Sequence, residues 1–297
     1  MSIKSILAVF GDNARDANAL ESSLSLAHAC RSFVRILHIA APLMPLDVSS
    51  AAMVGAVAYL DSATVDAVDE AEADRTARAT AYARAACQNR AIAMLPDGAD
   101  IVMGQFQVSF RNLVGVARRR VVEQAVFADL IVTAYDNRPD GDLDIVLGGL
   151  LEAGRPVLAL PRLPAATLPA TGFARTVVFA WDGSHASACA LREAVPHMLH
   201  AAEVHVVHVS GAADAVERDT RHDLMTYLYS HCIAATYTPV ERDGRKVGDA
   251  ILETARTLDA ELLILGAYGH GHVREMVLGG VTDHVLKHAD LPLLLVH

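Results

Sequence analysis

With 297 residues, 53% of them apolar and only 20% charged, the chain has apolar material for two ordinary domains, each with its own core. A formal net charge of −10 argues against general nucleic-acid binding, which needs a basic face. No run approaches the roughly 18 apolar residues of a membrane helix, MSIKSILAVFGDNARD is too short in apolar residues for a signal peptide, and Cys30, Cys87, Cys189 and Cys232 form no CxxC. A soluble protein of the reducing cytoplasm, without a membrane or nucleic-acid partner, is the expectation.

In chain order, KSILAVFG (4–11) is a short apolar strand, followed by an Ala-, Ser- and Leu-rich helical segment, Ala14–Cys30, and a second strand, FVRILHIA (Phe33–Ala40). A longer insertion, Pro42–Arg90, is dominated by the helical run Thr64–Gln88, which packs one apolar face. Arg118–Arg120 falls within a helical pattern and reads as a solvated face. Strand ADLIVTAY (Ala128–Tyr135) and LGGLLEAGRPVLALP (Leu147–Pro161), a helix running into a last strand, complete the first half. RLPAATLPATGFA (Arg162–Ala174) has no periodicity and reads as a linker.

The second half repeats this grammar. Its strands are expected at Thr176–Trp181, Val204–Val209, Ile233–Thr238, Leu262–Gly266 and Leu291–Val296, with helices at His185–Ala201, Val216–Ser230 and Gly248–Leu258. AELLILGAY mirrors ADLIVTAY, and LGGVTDHVLKHADLPLLLVH mirrors 147–161, so one domain has been duplicated. The boundaries are 1–161, a 162–174 linker, and 175–297. Strands alternating with helices imply parallel pairing by right-handed crossovers, so each half is an α/β domain with a doubly wound five-stranded sheet.

The stretch LLILGAYGHGHVREMVLGGVTDHVLKHA (Leu262–Ala289) carries the most chemistry. A buried strand stops at Gly266, Gly269 follows, and Gly279 and Gly280 open a helical pattern. Strand, glycines and helix start together present backbone N–H groups to phosphate. The same glycines could also serve only as tight turns.

The spacing Gly266-x2-Gly269-x9-Gly279, the turn Ala180-Trp181-Asp182-Gly183-Ser184 and the strand end His208-Val209 resemble the universal stress protein family over both halves. The resemblance implies a tandem member, with an open parallel sheet of order 3-2-1-4-5 in each half, binding ATP or AMP, with Mg²⁺ as an optional companion. It implies that Ala180 and Asp182 lie beside the adenosine and that Val209 and Leu265 contact the adenine. Gly266 and Gly269 would let backbone approach ribose and phosphates, while Gly279, Gly280 and Val281 offer N–H groups. Where the family places Ser or Thr after the last glycine, this chain has Gly280, so Thr282 is the available hydroxyl. The resemblance also implies that Val157–Leu160 and Leu293–Val296 pair, giving an internal pseudo-dimer; a further homodimer stays open.

In the first half, Thr133-Ala134-Tyr135-Asp136 stands where Gly266 and Gly269 stand in the second, Asp140, Asp142 and Asp144 follow, and only Gly148-Gly149 persists. Negative charge there disfavours phosphate, so this half reads as a non-binding partner. His270 and His272 fall near phosphate, His284 and His288 face solvent, and His38 and His208 are hydrogen-bonded at sheet ends; no metal site is expected. With no GxSxG, Walker A or GxGxxG, no catalytic residue is assigned, and slow ATP hydrolysis is the most that is expected. Two functions remain: a nucleotide-binding protein of stress response or signalling acting through protein partners that the sequence does not identify, or a pseudo-dimeric scaffold that binds no nucleotide.

Overall fold

The computed structural model describes residues 3–11, 16–41, 62–136, 143–163, 166–210, 217–267 and 279–297. Among these residues eleven strands form one sheet. In the first half β1 (Ser5–Val9), β2 (Phe33–Ala40), β3 (Met94–Leu95), β4 (Gln107–Val114), β5 (Leu130–Tyr135) and β6 (Val157–Pro161) lie in the order β3-β4-β2-β1-β5-β6. In the second, β7 (Thr176–Ala180), β8 (Glu203–Ser210), β9 (Thr236–Glu241), β10 (Leu262–Gly266) and β11 (Leu293–Val296) run β11-β10-β7-β8-β9. Leaving aside the two-residue β3, both halves have the expected 3-2-1-4-5 order, every pair within a half being parallel.

The halves meet through one antiparallel ladder, Leu293↔Ala159, Leu294↔Leu158 and Leu295↔Val157. These strands are the most apolar of their domains, and each is fully buried. A strand that would be a liability as an open edge is covered by its duplicate. Apolar runs such as LIVTAY are buried on both sheet faces, as parallel strands covered by helices require. One face carries α1 (Ala17–Cys30), α2 (Ser62–Gln88), α5 (His185–Met198) and α6 (Glu217–Ser230). The other carries α3 (Ala117–Ala125), α4 (Asp144–Leu147, continued by a π turn, Gly148–Glu152), α7 (Val247–Thr257) and α8 (Gly280–His288).

Three expectations change. The third strand of the second half starts at Thr236, because Cys232 takes a left-handed φ of 60° and the Ile233 N–H bonds back to the Leu228 carbonyl, so 232–233 terminate α6. The first half gains β3 beyond the expected five strands. The last strand begins at Leu293, two residues late. Arg118–Arg120 lie on α3, and each is paired, Arg118 with Glu152 and Asp144, Arg119 and Arg120 with Glu123. No helix among the described residues is long and apolar enough to cross a membrane.

Candidate functional site

At the carboxyl ends of β7, β8 and β10 lies a cavity of about 230 Å³. Its place is where a doubly wound sheet leaves a crevice, on either side of the point at which strand order reverses. Ala180, Val209 and Leu265 form its apolar walls, and Asp182, Gly266, Gly279, Gly280, Val281 and Thr282 complete its rim and floor. Nine of the ten expected positions therefore line one space. Gly269, with His270, His272, Asp140 and Asp142, lies outside the described residues.

Local chemistry fixes each wall. After β7 the chain turns sharply: Gly183 has φ 74°, and the Ser184 N–H donates to Asp182 Oδ1 at 2.9 Å. Ser184 then caps α5, its Oγ accepting the Ser187 N–H at 3.1 Å. Ser184 is thus an N-cap, as its sequence context indicates. Gly266 has a structural duty of its own: a Cβ there would fall 2.5 Å from the Ser187 nitrogen. The glycine lets the first turn of α5 sit directly on the end of β10, alongside any role in admitting a ligand.

The opposite rim is the start of α8. Gly279 is its N-cap residue, with φ −57° and ψ 140°, and no side chain caps this end. The first-turn N–H groups have no intrahelical acceptors, which gives the rim a positive dipole end. A Cβ on Gly280 would meet nothing within 4 Å. Thr282 is buried and lines the cavity, so its hydroxyl stands on the same rim.

Val207, Val247, Ile251, Ser187 and Trp181 also line the space and were not singled out from the sequence. Val247 and Ile251 are an i, i+4 pair on α7, Ile251 buried and Val247 half-buried, and Val207 is two residues from Val209 on the same face of β8. Both periodicities were available signals.

Among the described residues, the first half does not repeat this arrangement. Strand registers pair Leu265 with Ala180 and Thr133 with Val9, so Gly266 corresponds to Ala134, Ala267 to the fully buried Tyr135, and Tyr268 to Asp136. The expected placement of Asp136 against Gly269 is corrected by one position, and its charge is not loose. Arg162 donates to Asp136 Oδ2 at 3.1 Å and to the buried Asp16 Oδ1 at 2.7 Å. Gly148 and Gly149 persist for packing: a Cβ on Gly149 would fall 2.6 Å from Ile131 Cδ1. Because α4 begins at Asp144, the Gly148 N–H is already bonded to the Asp144 and Ile145 carbonyls.

His38 and His208 occupy matching places, with Nδ1 3.1 Å from the Phe10 carbonyl and 2.9 Å from the Trp181 carbonyl. Each pins the exit of a first strand to the second. The expectation that His284 faces solvent is corrected. Its ring packs against Gly248, where a Cβ would fall 2.7 Å away, and its Nε2 lies 2.6 Å from Asp249 Oδ1, so it joins α8 to α7. Among the described residues no three His, Cys, Asp or Glu side chains are grouped to hold a metal.

A doubled, doubly wound α/β sheet with a crevice between a capped helix and a glycine-opened helix defines a tandem α/β fold. Residues 174–297 match the model of the Universal stress protein family. A universal stress protein from Archaeoglobus fulgidus DSM 4304 superposes on 99% of this chain and 96% of its own, with a TM-score of 0.68 and 15% identity. A functionally unknown protein from Pseudomonas aeruginosa PAO1 covers 99% of this chain and 92% of its own, with a TM-score of 0.58 and 16% identity. Both show the two-domain fold. A universal stress protein solved in complex with cAMP aligns with 42% of this chain and 97% of its own, at 22% identity and a TM-score of 0.35. No curated protein matches the sequence.

Proposed function

We propose that residues 175–297 bind an adenine nucleotide, ATP or AMP, and that residues 1–161 form a non-binding half joined through 162–174. The observation that carries this reading is the meeting, in one cavity, of an apolar slot with the uncapped start of α8. Ala180, Val209, Leu265 and Ile251 suit the faces of a purine, Asp182 lies at the rim, and the Gly279–Gly280 amides suit phosphate oxygens. Mg²⁺ would arrive with the phosphates. Asp182 is the sole carboxylate among the described lining residues, which include no histidine or lysine. Binding rather than turnover is the role, with occupancy altering how the protein meets partners in stress response or signalling.

Calorimetric titration with ATP and AMP tests this directly. Saturable binding that is lost in Ala180→Trp, which fills the slot, supports the reading. The absence of binding at millimolar nucleotide refutes it in favour of a scaffold whose pocket is vestigial. Gly280 favours that second reading, since it supplies no hydroxyl where the family resemblance implies one.

A further inference from the structure

The connector between the halves is itself a peptide lying in a groove. Ala166, Leu168, Phe173 and Ala174 are buried. The Leu168 N–H donates to Ser22 Oγ on α1 at 3.0 Å, and the Asn18 side-chain amide donates to the Leu163 carbonyl. A Cβ on Gly172 would fall 2.5 Å from the Ser25 carbonyl oxygen, so the connector rests directly on the helix. On its far side Thr167 shares a cleft with Glu261 and Pro292, at the starts of β10 and β11.

The antiparallel β6–β11 ladder relates the halves by an approximate two-fold axis, so this groove has a mate. The mate of α1 is α5, and the mates of the starts of β10 and β11 are the starts of β5 and β6. The correspondence is close in detail. Asp129 Oδ2 accepts the N–H groups of Lys4 and Ser5 ahead of β1, and Glu261 Oε2 accepts the N–H of Arg175 ahead of β7. Between α5 and the starts of β5 and β6 lies a cavity of about 500 Å³, on the sheet face opposite the nucleotide cavity. Where the connector fills one groove, no described segment fills the other.

Two further features bear on an occupant. His197 of α5 lines this cavity and is fully buried, yet its Nδ1 has no hydrogen-bond partner. Burial holds the imidazole neutral, so Nδ1 can accept a hydrogen bond when Nε2 carries the proton. Arg155 and Arg192 are offset by Asp129 and Glu193 around the same walls, which suits an uncharged guest better than an anion.

We propose that this cavity is the docking groove for an extended, uncharged peptide of a partner chain. Its apolar side chain would rest on Leu294 and Val296 of β11, and a backbone N–H would donate to His197 Nδ1. The guest would lie on α5 as the connector lies on α1. This inference is independent of nucleotide binding.

The probe is a fluorescein-labelled peptide of the connector's own sequence, LPAATLPATGFA, titrated with the full chain and followed by anisotropy. Saturable binding is expected, with a scrambled peptide about tenfold weaker or worse. Saturating peptide should slow iodoacetamide alkylation of Cys189, which lines the groove, while the exposed Cys232 keeps its rate. Cys189→Trp should abolish binding by filling the groove, with melting temperature as the control for folding. Saturating ATP should leave the anisotropy curve in place. No binding at about 1 mM, equal binding of the scrambled peptide, or unprotected Cys189 in the wild-type chain would overturn the proposal; the alkylation result decides if the tryptophan variant misfolds.

Discussion

His197 offers the sharpest quantitative test of how the two halves are held together. It sits on α5 with its ring edge-on to the connector's Phe173, 5.8 Å between centroids, while His200 stacks on Phe173 at 4.0 Å. Complete burial, aided by the nearby His200, pushes the His197 imidazole from 6.5 down to about 4. The unfolded chain therefore binds a proton in this window that the folded chain refuses, and stability falls as pH drops from 6.5 towards 4. Above that window the group contributes no pH dependence. Across the full window the loss is about 3 kcal/mol at roughly 1.4 kcal/mol per pH unit, and at about pH 5 it is about 2 kcal/mol. His197→Leu removes the titrating group at similar volume and strands no hydrogen-bond partner of Nδ1, which has none. Urea unfolding followed by circular dichroism, at about pH 7 and about pH 5, should show the wild type losing about 2 kcal/mol more than the variant. Parallel losses in both proteins would refute the assignment of this pH dependence to His197.

Gly280→Ser places a Cβ in open space at the first turn of α8, so the fold should be unharmed and ATP affinity should rise about threefold to tenfold by calorimetry through a new hydroxyl; unchanged or weaker affinity would show that phosphate does not reach this turn. Gly266→Ala drives a methyl into the backbone of α5 and should destabilise by about 2 kcal/mol or more, read as a drop in the urea midpoint. Arg162→Met leaves the buried Asp16 without its cation, at a cost of about 3 kcal/mol. Burial works against the Arg162 charge, but the two carboxylates outweigh it and raise the guanidinium above its ordinary range. A matching loss in Asp16→Asn would confirm the pair; a neutral Arg162→Met would count against it.

The alternation of apolar runs with Ala- and Leu-rich helical segments made the architecture readable, because parallel strands buried on both faces leave few other patterns. The internal repeat made the tandem organisation readable for the same reason. What the pattern could not carry was exact register. Ile233 is apolar and precedes a β-branched stretch, so it reads as strand, yet the left-handed Cys232 spends it on closing α6. Similarly, Asp136 looked like a charge facing a phosphate path until Arg162, 26 residues later, proved to neutralise it. His284 looked exposed because it lies near a helix end, and the fold gives it Gly248 and Asp249 as neighbours. The last two of these errors concern contacts between segments that the sequence leaves far apart; the first turns on one left-handed residue that the apolar pattern does not mark. The glycine-bearing rim was legible because its chemistry is local to strand end and helix start, whereas Val247 and Ile251 reach the cavity from a separate helix.

The duplication supplies an internal comparison that separates two uses of one dipeptide. Both halves carry Leu-Gly-Gly before the last strand, at Leu147–Gly149 and Leu278–Gly280. In the first half the helix begins four residues ahead of Gly148, whose N–H is consumed by the Asp144 and Ile145 carbonyls. A Cβ on Gly149 would fall 2.6 Å from Ile131 Cδ1 and 3.1 Å from Val157 Cγ2, so a larger residue there would push on both side chains. In the second half the helix begins at Gly280 itself, and the amides of that turn have no carbonyl ahead of them within the helix. A sequence motif that is nearly identical in the two halves thus offers donors in one and closes them in the other. The shifted helix start separates a rim of open donors from a packing element, with no change in the glycines. Shifting it back should be harder than removing it, because Tyr135 now fills the place of Ala267 on the same sheet face and is fully buried there. Tyr135→Ala alone should therefore open space in the first half without creating nucleotide binding, and a second calorimetric site per chain in that variant would contradict this account.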